Sequence, residues 1–349
     1  MTDMPLVSIL IPNYNYGPYL RNCLDSVLNQ NYPNIEVIFR DNNSTDNSFE
    51  IAMEYYEKFR QKGIYFSIHR NRYNFGSDKN SNYCVDDSHG EILYTLGSDD
   101  SIEPTFIDKC VQILTEYPNV SMVMTHRKEM DENGVITESE PFYNTNCIIR
   151  GEDQAAVFMM AGIAIPTQRI CRKECLSMTR RFARIWNVAG DWYVNYRMSM
   201  VGDIAYLKEP LVCYRVHSGN ETNESEKILL GVFEHYQLLN SFKEMALNFN
   251  MKKPVDRYPE AIKKLASMCL RYALKMYQNG LNDVAVKYLK LAPVFDPEIE
   301  KNQVYIRLME LSLLNQRDFE KSLAELKNNE SMKRTCSYNP PDGYIQLEL

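Results

Sequence analysis

Two neighbouring carboxylates, Asp99 and Asp100, are the first feature of this sequence that could do chemistry. They follow an apolar run and the small residues Gly97 and Ser98, in the stretch LYTLGSDDSIEP. Like charges on adjacent residues repel, so a partner must compensate them. An Asp-rich turn in water is one interpretation. The other is a divalent-cation site at the mouth of a sheet, since hard cations prefer carboxylate ligands.

Three further residues have side chains suited to a transfer reaction. His217, in YRVHSGN, follows a strand-like run and is either a metal or phosphate ligand or an ordinary packed imidazole. Asp191, in GDWYVNYRM, is either a general base or the N-cap of a helix. Trp192 beside it suits stacking on a sugar ring, although aromatic residues at helical spacing usually belong to a core.

The elements that must position these residues alternate along the first part of the chain. Strands are predicted over 6–12, 35–39, 64–68, 91–96 and 120–125, and helices over 18–30, 49–59, 79–87 and 104–117. This alternation predicts an α/β fold with a mostly parallel central sheet and flanking helices. Ligands bind beyond the carboxyl ends of such strands, so the polar clusters at 12–16, 41–46 and 98–100 should meet at one edge.

The rest of the chain changes character. Two short strands, IAYL and LVCYRV, are predicted after a helix that Asp191 opens, and the chain turns helical after about residue 225. Within it, residues 272–299 have helix–turn–helix spacing around NGLND, similar to one tetratricopeptide unit. We therefore divide the chain into an α/β domain, 1–224, and an all-α region, 225–349. The helical region should brace the first domain, dock an acceptor protein or form a homodimer.

Composition narrows the class of protein. The 349 residues are 44% hydrophobic and carry a net charge of −7, which argues against a nucleic-acid-binding protein but allows a local basic pocket. Nine scattered cysteines and no N-terminal signal sequence favour a reducing cytosol. The longest apolar run, 155–166, is too short to cross a bilayer. We expect a cytoplasmic protein without a transmembrane segment that reaches any membrane peripherally, from the cytosolic face.

A family resemblance joins these features. The segment VSILIPNYNYGPYLRNCLDSVLNQNYPNIEVIFRDNNSTDNS strongly resembles the opening of inverting glycosyltransferases of family 2, which have the GT-A fold. The blocks NRYNFGSDKNSNYCVDDSHGEILYTLGSDD, GDWYVNYRM and YRVHSGN are similar to later family blocks and occur in the same order, over roughly residues 6–220. The resemblance implies a Rossmann-like GT-A fold. It also implies transfer of a sugar from a nucleoside-diphosphate sugar, UDP-linked, to a hydroxyl of a glycan, lipid-linked saccharide or protein in surface polysaccharide synthesis.

The resemblance also assigns roles to residues. It implies that Asp191 is the catalytic base, and that Asp99, Asp100 and His217 bind a divalent metal, Mn²⁺ or Mg²⁺. The residues implied to bind the nucleotide sugar are Pro12, Asn13, Tyr14, Asn15, Asp41, Asn74, Gly76, Asn80, Ser98, Asp99 and Trp192.

Three positions depart from the family pattern. Gly97, Gly190 and Asn42 stand where the family usually has an acid, which predicts a weaker metal site. Two other functions therefore stay open. One is a binding module for nucleotide sugars with weak or lost catalysis. The other is a sugar nucleotidyltransferase, although its first loop should be rich in glycine and basic residues, whereas PNYNYG has one glycine and no Lys or Arg.

Overall fold

The described strands form one sheet. The computed structural model describes residues 4–178, 189–217, 227–314, 318–323 and 336–348. Its parallel part contains strands β1 (Val7–Asn13), β2 (Ile35–Asp41), β3 (Tyr65–Arg70) and β4 (Ile92–Thr95), in the order β3-β2-β1-β4. Val7, Ile9 and Ile11 of β1 are fully buried, as expected for a strand covered on both faces. The predicted α/β fold with a parallel core is confirmed.

Four helices flank this part of the sheet: α1 (Gly17–Leu28), α2 (Ser48–Gln61), α3 (Ser77–Asp87) and α4 (Phe106–Glu116). In α1, Pro18 lies in the first turn, where its missing N–H costs nothing. Leu20, Leu24 and Val27 recur every three or four residues and are fully buried. This spacing places them on one face of the helix, against the sheet.

Beyond β4 the sheet becomes mixed. Its remaining strands are β5 (Ser101–Ile102), β6 (Val120–Met130), β7 (Ile136–Thr137), β8 (Cys147–Ile149), β9 (Arg169–Arg172) and β10 (Asp203–Arg215). Strand β9 lies antiparallel between β4 and β6, and β10 runs parallel to β6. The helices here are α5 (Gly151–Phe158), α6 (Lys173–Met178) and α7 (Gly190–Val201), with a 3₁₀ turn at Pro166–Gln168.

One prediction in this part was wrong. The two short strands expected over IAYL and LVCYRV form one continuous strand, β10. Its register against β6 shifts on either side of Pro210. Proline has no N–H for the ladder, so an irregularity at this point lets the strand continue past it.

The helical region contains α8 (Leu230–Asn248), α9 (Lys252–Gln278), α10 (Asn282–Phe295) and α11 (Gln303–Leu311). Helices α9 and α10 form a hairpin that turns at Gly280, whose φ of 72° is a conformation that favours glycine. The helix–turn–helix predicted around NGLND is confirmed. Among the described residues, no helix is long and apolar enough to cross a membrane.

The helical region and the sheet share a hydrophobic core. Leu238 and Phe242 of α8 and Leu265 of α9 belong to the same buried cluster as Phe158 and Tyr196. The rings of Tyr196 and Phe242 stack with centroids 3.8 Å apart, and the Tyr196 hydroxyl donates to the Phe242 carbonyl at 3.0 Å. Of the three arrangements predicted for this region, bracing of the α/β domain is therefore the one observed.

The end of the described chain returns to the sheet. Strand β11 (Ile345–Gln346) pairs antiparallel with β8, and Leu347 is buried in the same core as β1. The described residues of the predicted region 225–349 therefore form helices and this short strand. A two-residue strand is too short to leave an alternating pattern in the sequence.

Candidate functional site

The ends of β1, β2 and β3 meet at one edge, which brings together the polar clusters predicted at 12–16 and 41–46. The Asn42 amide donates to the Asn13 carbonyl at 2.8 Å, and the Asn71 amide donates to the Asp41 carbonyl at 2.8 Å. Because these parallel strands end in register, their polar side chains face one another beyond the sheet.

Asp41 is the centre of a fully buried polar group. Its carboxylate accepts hydrogen bonds from the Asn13 amide at 3.0 Å and from the Ser44 amide and hydroxyl at 2.9 and 2.5 Å. Arg70 Nε lies 3.4 Å away and supplies a compensating charge. Asn13 Oδ1 is buried and accepts no hydrogen bond from any described residue. A ligand N–H could satisfy it, since buried polar atoms are normally paired.

Asn42 holds the 74–76 turn against β2. Its Nδ2 donates to Asn74 Oδ1 at 2.7 Å and to the Gly76 carbonyl at 3.2 Å, while its Oδ1 accepts from Asn71 Nδ2 at 2.9 Å. Asn71 Nδ2 also donates to Asn80 Oδ1, at 2.8 Å. A carboxylate at position 42 could not donate to the turn. This amide network explains why asparagine replaces the family's usual acid.

The other predicted nucleotide-binding residues of β1 surround this group. Asn15, at φ 58°, accepts the Thr45 amide at 2.8 Å through Oδ1. The Tyr14 side chain is 41% exposed, and Pro12 is half-buried within β1. The structure therefore gathers the predicted residues of the β1–β3 edge into one surface.

Asp99 and His217 form a second group. Asp99 Oδ2 lies 3.2 Å from His217 Nε2, and the two side chains are 14% and 7% exposed. Tyr16 and Tyr19 pack against the imidazole, with ring centroids at 5.6 and 5.3 Å. Burial raises the pKa of Asp99, although the hydrogen bond with His217 opposes that rise. The pair presents one carboxylate and one imidazole at the end of β10.

Asp100 faces the interior instead. Its Oδ2 accepts the Thr167 hydroxyl at 2.5 Å and its Oδ1 accepts the Arg215 amide at 2.8 Å. Burial and the neighbouring Asp99 charge raise the pKa of Asp100. The three predicted metal ligands are thus not brought together as one set, because protein donors occupy both Asp100 oxygens. Within the described ranges, no group of three or more His, Cys, Asp or Glu side chains could hold a metal.

Gly97 and Gly190 differ in the space that a side chain would have at each position. A Cβ at Gly97 would lie 2.8 Å from Asp100 Oδ2 and 2.9 Å from Asp99 Oδ1, so any side chain there would displace both carboxylates. A Cβ at Gly190 would meet nothing within 4 Å. The hydroxyl of Ser98, the next residue after Gly97, is buried and has no hydrogen-bond partner among the described residues. The glycine at 97 is therefore a steric requirement of this corner.

Asp191 lies in a cavity of about 760 Å³ between the sheet and the helical region. It occupies the first turn of α7, and its side chain is 46% exposed. Trp192 lines the same cavity and its ring packs against His235 at 5.4 Å and Phe242 at 6.0 Å. The predicted base and the predicted stacking residue are therefore together, in contact with the helical region.

Arg169 is a site residue that sequence reasoning missed. Its guanidinium donates to the Asp191 carbonyl at 2.9 Å and to Asn195 Oδ1, and its Nη2 lies 3.8 Å from Asp191 Oδ1. Burial lowers the pKa of Arg169, and the Asp191 charge opposes this. Nothing in PTQRICR marks this arginine, since its partners lie more than twenty positions along the chain.

The Pro166–Gln168 turn connects the Asp99 corner to the cavity. Thr167 donates to Asp100, as described, while the next residue, Gln168, lines the cavity with Asp191. One residue of this turn thus contacts Asp100 and the next one lines the cavity.

Comparison with known proteins matches this architecture. Residues 8–177 match the family described as Glycosyl transferase family 2. An uncharacterised glycosyltransferase of Nostoc sp. is 28% identical over 68% of this chain and 75% of its own length. The chondroitin synthase of Escherichia coli is 24% identical over 80% of this chain, but only 37% of its own length is covered. The chain thus spans a minor part of that synthase.

Solved structures show the same fold. S. aureus TarS 1–349 in complex with UDP-GlcNAc superimposes with a TM-score of 0.54 at 16% identity, over 98% of this chain and 99% of that one. The Pyrobaculum calidifontis mannosyltransferase in complex with GDP-Man and Mn²⁺ gives a TM-score of 0.54 at 18% identity, over 94% and 88%. The fold is GT-A with a helical C-terminal region. Residues 8–177 match the glycosyl transferase family 2 model, and the predicted enzyme class, a glycosyltransferase, is confirmed.

Proposed function

We propose that the chain is a metal-dependent inverting glycosyltransferase. It transfers a sugar from a UDP-linked donor to a hydroxyl of a glycan, lipid-linked saccharide or protein, in surface polysaccharide synthesis. The observation that carries the proposal is the presence of three polar groups: the Asn13–Asp41 group at the ends of β1 and β2, the Asp99–His217 pair and the cavity that Asp191 lines. We assign the donor nucleotide, the metal and the acceptor to these three groups, in that order.

The donor nucleotide fits the Asn13–Asp41 group. The unpaired Asn13 Oδ1 offers an acceptor to a base N–H, and Asp41 and Arg70 fix the surrounding surface. The other residues predicted to contact the donor stay part of this proposal: Pro12, Tyr14, Asn15, Asn74, Gly76, Asn80 and Ser98.

The residues present fit a divalent cation, Mn²⁺ or Mg²⁺. Asp99 Oδ2 and His217 Nε2 face each other at 3.2 Å, and these cations are often held by one or two protein ligands together with substrate phosphates. Such an ion would neutralise the charge that develops on the leaving diphosphate.

Asp191 is the proposed general base. An inverting transfer needs a group that removes the proton of the acceptor hydroxyl as it attacks the anomeric carbon, on the side opposite the leaving diphosphate. Asp191 has the exposure to reach an acceptor in the cavity, and Arg169 keeps its backbone and carboxylate in place. Trp192 offers an aromatic surface to a sugar in that cavity.

Thermal unfolding with UDP-glucose, UDP-GlcNAc, UDP-galactose and GDP-mannose, each with and without Mn²⁺, tests the donor. A UDP-sugar should raise the unfolding temperature only when Mn²⁺ is present, because a ligand that binds the native state stabilises it. Asp191→Asn should keep that stabilisation and lose transfer and donor hydrolysis. Full turnover by this variant would overturn the assignment of the base, and stabilisation by no nucleotide sugar would overturn the function.

A binding module without catalysis is the second candidate, favoured by the missing acid at Gly190. It predicts the same Mn²⁺-dependent stabilisation but no hydrolysis of the donor by the unaltered protein. Four expectations remain proposals: the tetratricopeptide-like character of the α9–α10 hairpin, a homodimer through the helical region, the cytosolic location and the peripheral membrane association. Solution mass tests the homodimer. Cell fractionation tests the cytosolic location and the peripheral membrane association.

A further inference from the structure

The wall that the helical region contributes to the Asp191 cavity is basic. Helix α9 lines the cavity with one face, on which its residues recur every three or four positions: Ala261, Lys264, Leu265, Met268 and Arg271. Lys264 and Arg271 are the two charged residues of this stripe, and both are exposed. Lys264 reaches across to donate to the Met160 carbonyl at 3.0 Å, on the α5 side of the cavity.

Among the described residues, no carboxylate forms an ion pair with Lys264 or Arg271. Glu260, one turn before Lys264, pairs with Arg257 at 2.7 Å. Partial burial lowers the pKa of Lys264 and the Arg271 charge lowers it further, while Glu260 opposes these effects. A nearby anion would relieve this repulsion.

The acids of the cavity, in contrast, already face cations. Asp191 lies 3.8 Å from the Arg169 guanidinium, and Glu129 accepts from Arg127 at 3.1 Å. The surplus charge of the cavity is therefore positive and lies on α9, although the protein as a whole carries −7.

We infer that the acceptor bound in this cavity is anionic and that Lys264 and Arg271 bind its carboxylate or phosphate group. The anchored acceptor then presents a hydroxyl to Asp191, whose own charge is offset by Arg169. This inference rests on the proposed transferase function, because only a transferase has an acceptor. The binding that it predicts can nevertheless be measured without turnover.

Direct binding to three oligosaccharide probes tests the inference. They are oligogalacturonate, which carries carboxylates, an oligomer of glycerol phosphate, which carries phosphates, and neutral dextran oligosaccharide of similar length. At least one anionic probe should bind the full-length protein more tightly than dextran, and added salt should weaken that binding. The preferred anionic probe identifies the acceptor charge as carboxylate or phosphate.

The test variants are Lys264→Gln, Arg271→Gln and the double variant that combines them. Lys263→Gln is the control, because Lys263 is exposed on the same helix and does not line the cavity. Each cation removed should weaken binding of the anionic probe roughly tenfold, or about 1.4 kcal/mol, because each substitution removes a charge-assisted hydrogen bond to the anion. Lys263→Gln should bind as the unaltered protein does. Equal affinity for dextran, binding to none of the probes, or unchanged affinity in a folded double variant would overturn the inference.

Donor hydrolysis separates this inference from the function on which it rests. If the protein hydrolyses a UDP-sugar with Mn²⁺ but shows no charge-selective binding, the anionic acceptor is ruled out and the transferase function stands. If it shows charge-selective binding but no hydrolysis, the transferase function is ruled out.

Discussion

The buried guanidinium of Arg169 donates to the main chain of Asp191 and stands 3.8 Å from its carboxylate. Asn195, one turn further along α7, accepts from the same guanidinium and donates to the Ala164 carbonyl at 2.6 Å. The first turn of α7 is therefore fixed to β9 and to the loop before it. Arg169 is a positioning residue for the proposed base.

Replacing Arg169 should slow the chemical step while leaving donor affinity unchanged. We expect Arg169→Gln to reduce donor hydrolysis by about 100-fold, because small displacements of a reacting group have effects of this size. The acidic limb of its pH–rate profile should move to higher pH, since the carboxylate loses a neighbouring positive charge. Arg169→Lys keeps the charge and should leave that limb in place. An unchanged pH profile in both variants would mean that Arg169 has only a structural role.

Asp99 and Asp100 should respond differently to the same substitution. Asp99→Asn should remove the part of UDP stabilisation that depends on Mn²⁺, an increment of about 2.7 kcal/mol at a ligand concentration 100 times Kd. Asp100→Asn should instead destabilise the free protein, because Thr167 and Arg215 donate to that carboxylate. Thermal unfolding with and without UDP and Mn²⁺ measures both effects. The reverse pattern would make Asp100 the metal ligand.

Gly97→Ala should disturb the same corner through crowding. Its Cβ would approach both carboxylates within 3.0 Å, so we expect a loss of about 1–3 kcal/mol in the free energy of unfolding, as for other overpacked sites. Gly190→Ala, whose Cβ has open space, is the matched control. Denaturant unfolding that finds equal stability for the two variants would rule out the steric explanation for Gly97.

The shared core predicts that the two regions unfold together. Phe242→Ala should cost about 3–5 kcal/mol, as for other buried aromatic residues, and should lower the stability of the sheet as well as of α8. Tyr236→Ala, on the same helix but with a side chain 42% exposed, should cost much less. Unfolding followed by far-UV circular dichroism and by tryptophan fluorescence should give coincident transitions. Separate transitions would contradict the shared core.

Glu36 should make the free energy of unfolding depend on pH in the acidic range. Burial raises its pKa, but hydrogen bonds from Ser8 and from the main chain and ring of His89 outweigh that effect and hold the pKa below its ordinary value. The resulting stability is present above the unfolded-state pKa and is lost as pH falls through the lower, folded-state pKa. Glu36→Gln should therefore flatten the acid side of the stability curve, whereas Glu57→Gln, an exposed pair with Arg60, should not. Identical acid transitions in both variants would contradict this.

The spacing of apolar residues along the chain predicted the regular strands and helices. The buried strands and amphipathic helices of residues 7–116 follow from periodicity. Asp191 lies in the first turn of a helix, but the N-cap is Ala189, so the N-cap interpretation of Asp191 was wrong. The sequence also predicted the meeting of Asn13 with Asp41, because ends of parallel strands share an edge. Contacts between distant segments were not predictable in this way. Arg169 reaches Asp191, and Asp100 is held by Thr167, only because β9 inserts between β4 and β6.

The return of β11 to β8 makes the helical region an insertion within the sheet, with a strand on either side of it in the chain. A protease cut within α8–α11 should therefore leave a nicked protein whose two fragments stay associated under native conditions. The amino-terminal fragment keeps β8, the carboxyl-terminal fragment keeps β11, and the pairing of Ile148 with Ile345 and the burial of Leu347 hold them together. The helical region, which carries Lys264 and Arg271, is thus connected to the sheet through the strand before it, β10, and the strand after it, β11.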